Sequence, residues 1–186
     1  MSNTGKPQVL FLLTGSIACF KACELISRLV KRGCAVQTVA SAGALRFVGA
    51  ATLEGLTGRP PFTDLYQTGR AMDHIHLARW ADAALLCPAT ANSLNRLAGG
   101  LADDAIGALF LAWEIAAKPW LVAPAMNATM WEHPATRASR RKLAEYGATL
   151  LPVGDGPLAC GESGEGRLLE VADIETGLLN ALGTPR

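Results

Sequence analysis

The sequence predicts an α/β protein in a single domain spanning residues 1–186: a doubly wound parallel sheet between two layers of helices. Three observations carry this. Apolar runs of strand length alternate with stretches whose apolar residues recur at helical spacing. The strand-like runs are apolar throughout rather than alternating, which suits strands covered on both faces. The chain has 186 residues, half of them hydrophobic and 18% charged, enough to close one well-buried core.

The first strand is "QVLFLLTG" (8–15), a continuous apolar run that ends in Thr14-Gly15. "SIACFKACELISRLVKRG" (16–33) then shows helical periodicity, with basic residues in its last turn and Gly33 as its stop. "CAVQTVAS" (34–41), "AALLCPAT" (83–90), "PWLVAPA" (119–125) and "ATLLPV" (148–153) are four further strands. "ANSLNRLAGG" (91–100), "DDAIGALFLAWEIAA" (103–117), "PATRASRRKLAEYG" (134–147) and "VADIETGLLNAL" (171–182) are helices. Two stretches are irregular, at about 58–73 and at 153–170. The second is rich in glycine and has the length of a lid or binding loop.

Composition excludes several classes. Formal net charge is +1 with no basic stripe, so nucleic acid is not an expected partner. The start, "MSNTGKPQ", is polar and has no signal-peptide core, and "AIGALFLAW" stops at Glu114, too short for a bilayer. The expectation is a cytoplasmic protein without a membrane segment. The five cysteines (Cys19, Cys23, Cys34, Cys87 and Cys160) form no CxxC, so neither a disulfide framework nor a metal site is indicated. Cys19 and Cys23, four apart on one helix, read as packing residues.

In an open α/β sheet, ligands gather at the carboxyl ends of the strands. "TGS", "ASAG", "CPATAN" and "APAMN" end four of the strands, and all four should face one crevice. Their small residues permit close backbone approach, and the helix N-termini that follow can receive an anion. Ser16 either caps its helix or meets a phosphate. Among Thr90, Asn92 and Ser93, capping accounts for one; three together suit a polar ligand. "MDHIHLARWAD" offers His74 and His76 as acid/base groups, and spacing alone does not choose between them. His133 reads equally as a helix-start residue ahead of Pro134. In "LACGESGEGRL" (158–168), Cys160 is either an inert surface thiol or a lid residue that Gly161, Gly164 and Gly166 allow to close. With no nucleophile triad, paired carboxylates or metal cluster in sight, an organic cofactor is expected to carry the chemistry.

Taken in order, these segments resemble the homo-oligomeric flavin-containing cysteine decarboxylases, and among them the phosphopantothenoylcysteine decarboxylases. "PATAN" (88–92) is similar to the family's PASAN element, "PAMNATMW" (124–131) fits PxMNxxMW without a gap, "HIHLARWAD" (74–82) matches the segment bearing the active-site histidine, and "LACGESGEGRL" matches the cysteine flap. The resemblance implies a Rossmann-like fold, bound FMN near a subunit interface, and homotrimers or dodecamers built from trimers. It assigns His74, not His76, to proton transfer during oxidation of the substrate thiol. Asn127 is assigned to the substrate carboxylate, and Cys160 to the final protonation. An amide can donate to a carboxylate without a counter-charge that over-stabilises the ground state.

By the same resemblance, Gly15, Ser16, Ile17, Ser41, Phe47, Ala89, Thr90, Ala91 and Asn92 hold FMN, and Met126, Met130 and Trp131 wall the substrate pocket beside Asn127. The implied reaction is a lyase step in coenzyme A biosynthesis: decarboxylation of 4′-phosphopantothenoylcysteine, a small-molecule thiol, to 4′-phosphopantetheine. Many bacterial relatives carry a fused synthetase. The sequence closes at "LGTPR" with no room for one, so a separate phosphopantothenoylcysteine synthetase is an expected partner. "GESGEGRL" also departs from the Asp-containing, Met-ending flaps of many relatives. Three alternatives share the fold: an oxidative decarboxylase of a peptidyl C-terminal cysteine that stops at the enethiol, a flavin prenyltransferase, and a non-catalytic regulatory flavoprotein.

Overall fold

The structure is a computed structural model that describes residues 5–156, 161 and 163–183. Five parallel strands are β1 (Gln8–Leu13), β2 (Ala35–Ala40), β3 (Ala83–Ala89), β4 (Trp120–Pro124) and β5 (Thr149–Leu150). They lie in the order β2-β1-β3-β4-β5. The register pairs Leu10 of β1 with Gln37 on one side and Ala84 on the other. This is the Rossmann-like α/β architecture expected, with the order reversing between β1 and β3.

Strand geometry sends alternate side chains to opposite faces, and β1 shows the consequence. Val9, Phe11 and Leu13 join one core with the helices α1 (Cys19–Lys31), α2 (Ala50–Thr57) and α8 (Val171–Gly183). Leu10 and Leu12 join a second core with α3 (Asp73–Trp80), α4 (Ala91–Ala98), α5 (Ala105–Ala112) and α7 (Pro134–Glu145). Both faces are covered, which is why the strands are apolar throughout. On the first face, α8 is fastened to α1 by an ion cluster. Glu175, 2% exposed, accepts from Arg28 Nη2 at 2.7 Å and Arg32 Nε at 2.5 Å.

Five elements depart from the sequence reading. β5 is two residues long rather than six: Leu151 N–H donates to the Val122 carbonyl at 2.8 Å, and the next donor the ladder needs is on β4 at Pro124, which has no N–H. α5 stops at Ala112 rather than running to 117: Trp113 turns so that its Nε1 donates to the Lys118 carbonyl at 3.0 Å, with the Lys118 ammonium 4.4 Å from its ring. α2 and α3 were not legible, since each fully buries one side chain, Leu53 and Ala78, and so shows no apolar stripe. The short α6 (Ala128–Glu132) was missed as well. No helix among the described residues is long and apolar enough to cross a membrane.

Candidate functional site

In a parallel sheet every strand delivers its last residue to the same edge. Here hydrogen bonds join the turns that follow. Thr14 Oγ1 donates to the Pro88 carbonyl at 2.6 Å and accepts from Thr90 N–H at 3.1 Å, tying "TGS" to "PATAN". Ala125 N–H donates to the Ala89 carbonyl at 3.0 Å, tying "PATAN" to "PAMN". The "TGS" and "SAG" turns pack backbone to backbone: a Cβ on Gly15 would sit 3.0 Å from the Gly43 carbonyl carbon, so glycine is needed for that approach. The Cys87–Pro88 peptide is cis.

The predicted cofactor residues fall along this edge. Ser16 Oγ accepts from Ala18 N–H at 3.2 Å, ordering the turn into α1. Ser41 Oγ does the same for Ala44 N–H at 3.1 Å. Thr90 is the N-cap of α4, its Oγ1 accepting from Ser93 N–H at 3.3 Å. Ala89 and Ala91 are buried beneath the turn, while Asn92 is exposed. Ile17 and Phe47 are 58% and 51% exposed. Two helix N-termini for a phosphate, hydroxyls beside them and an exposed aromatic ring nearby fit a flavin nucleotide.

The fourth turn carries the residues expected to meet the substrate. Asn127 is the N-cap of α6, with Oδ1 accepting from Thr129 N–H at 2.8 Å. That bond turns the amide's NH₂ end, its donor end, away from the helix. Trp131 is buried on the inner side of α6, while Met130 is exposed and Met126 half-buried. The glycine-rich loop reaches the same turn. Gly154 and Arg167 pair as an antiparallel bridge, with Gly154 N–H to the Arg167 carbonyl at 2.8 Å. Met126 N–H donates to the Gly166 carbonyl at 2.9 Å. Gly166 has φ +130°, and a Cβ there would come within 2.5 Å of the Met126 carbonyl oxygen. The base of the loop is thus stitched to the Asn127 element. Cys160 lies outside the described residues.

His74 is placed elsewhere on the chain's surface. It stands in the first turn of α3 and lines a cavity of about 530 Å³ with Leu65, Tyr66, Ile75 and Leu111. None of the four turns contributes to those walls. His74 Nδ1 is buried without a hydrogen-bond partner among the described residues, whereas His76 is exposed. His133 is the N-cap of α7, its Nδ1 accepting from Ala135 N–H at 3.2 Å. Cys19 and Cys87 lie under the crevice. Burial pushes both thiols up, so they stay protonated and serve as packing. Sequence reasoning missed Phe20, exposed one helical turn beyond Ser16, and Arg140, whose guanidinium lies 3.6 Å over the Trp131 ring. Both sit in helices whose charge and periodicity suggest ordinary surface.

A parallel α/β sheet whose carboxyl edge joins small-residue turns to two helix N-termini defines a nucleotide-cofactor binder. The Flavoprotein family model matches residues 1–183, and the chain belongs to that family. It is 42% identical over 169 residues to the coenzyme A biosynthesis bifunctional protein CoaBC of Mycobacterium tuberculosis, covering 91% of this chain and 40% of that protein. The chain therefore spans about two-fifths of the length of the curated relatives it matches. Among solved structures it is similar to a PPC decarboxylase mutant complexed with pantothenoylaminoethenethiol (TM-score 0.82, 32% identity, 94% of this chain and 97% of that one). It is similar also to the FMN binding protein AtHal3 (TM-score 0.80, 32% identity, 94% and 96%).

Proposed function

We propose that the chain decarboxylates the cysteine end of 4′-phosphopantothenoylcysteine to give 4′-phosphopantetheine, with FMN as cofactor. The observation that carries this is the continuous stitching of "TGS", "PATAN", "PAMN" and the glycine-rich loop along one sheet edge, which sets a carboxylate-binding amide beside a flavin-type cradle. Similarity to CoaBC and to the PPC decarboxylase, which this chain matches over nearly its whole length, supports the choice of substrate.

Bound FMN would take a hydride from the thiol-bearing carbon and give it back after CO₂ has left; the thiocarbonyl so formed on the substrate is the sink for the charge left by CO₂ loss. The chain's residues do the rest. The N-termini of α1 and α4, with Ser16 and Thr90, hold the cofactor phosphate, and Asn92, Ser41, Ile17 and Phe47 border it. Asn127 donates its NH₂ end to the substrate carboxylate, and Met126, Met130 and Trp131 exclude water around it. His74 takes the proton from the substrate thiol as that carbon is oxidised. Cys160 returns a proton to the carbon that has lost CO₂. No net oxidation results.

His74 reaches the crevice of another copy. Its cavity shares no wall with its own chain's crevice, and its buried Nδ1 lacks a partner among the described residues. Ile17, Phe20 and Phe47 are exposed apolar residues on or near the cofactor turns, and Tyr66 and Leu111, also exposed, line the His74 cavity; a head-to-tail ring such as a trimer would bring the two regions together. The test is to incubate the FMN-loaded protein with phosphopantothenoylcysteine and with a peptide ending in cysteine, and to weigh the products. A saturated thiol about 44 mass units lighter than the first substrate, the loss of CO₂, supports this reading. Turnover of the peptide alone, ending at the enethiol, refutes it.

A further inference from the structure

The helix α7 carries Arg137, Arg140, Arg141 and Lys142, a basic run that looks like one solvated face. Its geometry separates one of them. Thr136 and Leu143 are the buried residues of α7, and Arg140 stands four after the first and three before the second. That spacing puts Arg140 on the inward stripe, where an apolar side chain is expected. Its side chain is 21% exposed, whereas Arg137, Arg141 and Lys142 are exposed.

The inward guanidinium carbon lies over Trp131, 3.6 Å from the ring centre, and Nη2 is 3.9 Å from the Glu132 carboxylate. Trp131 and Glu132 are the last two residues of α6, whose N-cap is Asn127. A five-residue helix has no stability of its own. It is held at its start by the Asn127 side chain and by Trp131 N–H donating to the Asn127 carbonyl at 3.0 Å. On the loop side, a Cβ on Gly164 would lie 3.1 Å from Ala128 Cβ. Arg140 braces the opposite end. It does so from a firm base, because α7 packs on α4 and Ser139 Oγ bonds to Asn95 Oδ1 at 2.8 Å.

We propose that Arg140 is a positioning residue for the substrate carboxylate: by clamping Trp131 it fixes the short helix that aims Asn127. This rests on the function proposed above. A planar guanidinium is required, since an ammonium makes a point contact rather than a stack.

The experiment uses the FMN-loaded full chain, wild type against Arg140→Ala and Arg140→Lys. It measures KM and kcat for phosphopantothenoylcysteine, Kd for the product 4′-phosphopantetheine, FMN content and Tm. In Arg140→Ala, KM rises about tenfold with kcat within about twofold, while product Kd and FMN content stay at wild-type values. Arg140→Lys recovers less than half of the loss on a logarithmic scale. The proposal is overturned by an unchanged KM in Arg140→Ala, by equal rises in KM and product Kd, which mean general damage, or by full rescue with lysine, which means charge alone. A wild-type protein that leaves the substrate untouched overturns the function itself, and is distinguishable because no variant is needed to see it.

Discussion

Replacing Gly166 with alanine tests whether the glycine-rich loop and the turn that carries Asn127 act as one unit. Gly166 has φ +130°, and holding an alanine there costs about 1–3 kcal/mol. The added Cβ would lie 2.5 Å from the Met126 carbonyl oxygen, a backbone atom that cannot rotate away. The loop base must move, which also breaks the 2.9 Å bond from Met126 N–H to Gly166, worth about 0.5–1.5 kcal/mol. The sum is roughly 2–4 kcal/mol: lifting the loop base from Met126 relieves the strain but loses the bond. At about 2–4 °C per kcal/mol for a chain of this size, Tm falls by about 4–16 °C if the whole cost reaches global unfolding, and by less where the loop base opens locally. Asn127 follows Met126 directly, so its amide, and with it the proposed carboxylate contact, shifts with the loop. A misplacement of order 1 Å costs about 10²-fold in kcat/KM. FMN content should be unchanged, because the "TGS" and "PATAN" turns are untouched.

Gly58→Ala is the matched control. Gly58 has φ +70° at the end of α2, and a Cβ added there would meet nothing within 4 Å, so the substitution adds strain without a clash and without a loss of activity. Steady-state decarboxylation and thermal melts of the two variants decide the matter. Wild-type kcat/KM in Gly166→Ala refutes the coupling, as does an equal loss of activity in Gly58→Ala.

Three further outcomes are expected. His74→Asn should retain FMN yet lose about 10²–10⁴-fold in turnover, measured by CO₂ release; equal damage from His76→Asn with an active His74→Asn would show the wrong histidine was chosen. Removing both Arg28 and Arg32 strands the buried Glu175 carboxylate and should cost about 3–5 kcal/mol in urea unfolding, whereas Glu175→Gln, which leaves two arginines free to reach water, should cost less; equal costs would refute this. Burial raises the Glu175 carboxyl, but hydrogen bonds from Arg32 and Arg28 outweigh it and hold the group below the ordinary 4.5. Its stabilising contribution is then complete above that pH and lost as pH falls through the lowered value, so the stability gap between wild type and Glu175→Gln should narrow progressively as pH falls below 4.5; a gap that does not change with pH below 4.5 would contradict it.

Much of this was legible in the sequence for a physical reason. Strands covered on both faces must be apolar at every position, and β1, β3 and β4 announce themselves in that way. Small-residue turns after such strands mark the carboxyl edge. What could not be read depends on tertiary partners. α6 exists because Asn127 caps it and Trp131 is clamped. α3 buries Ala78 and half-buries Leu77 and Trp80, which leaves no stripe. The inward turn of Arg140 is invisible in a run of basic residues. His74 sits in a cavity built from α3, α5 and the preceding loop, and no spacing along the chain reports that it stands apart from the four turns.

The pairing of Gly154 with Arg167 has a consequence for how this protein can change. Twelve residues, 155–166, lie between two backbone positions already brought together by hydrogen bonds and held to the sheet edge. Closing a loop depends only weakly on its length, and doubling those twelve would cost about 0.6 kcal/mol. Whatever is inserted or exchanged within that span leaves the base of the loop, and the strands that carry it, undisturbed. Selection can therefore rewrite the tip for a bulkier or differently charged substrate, one substitution at a time, while the cofactor cradle and the sheet beneath are inherited intact.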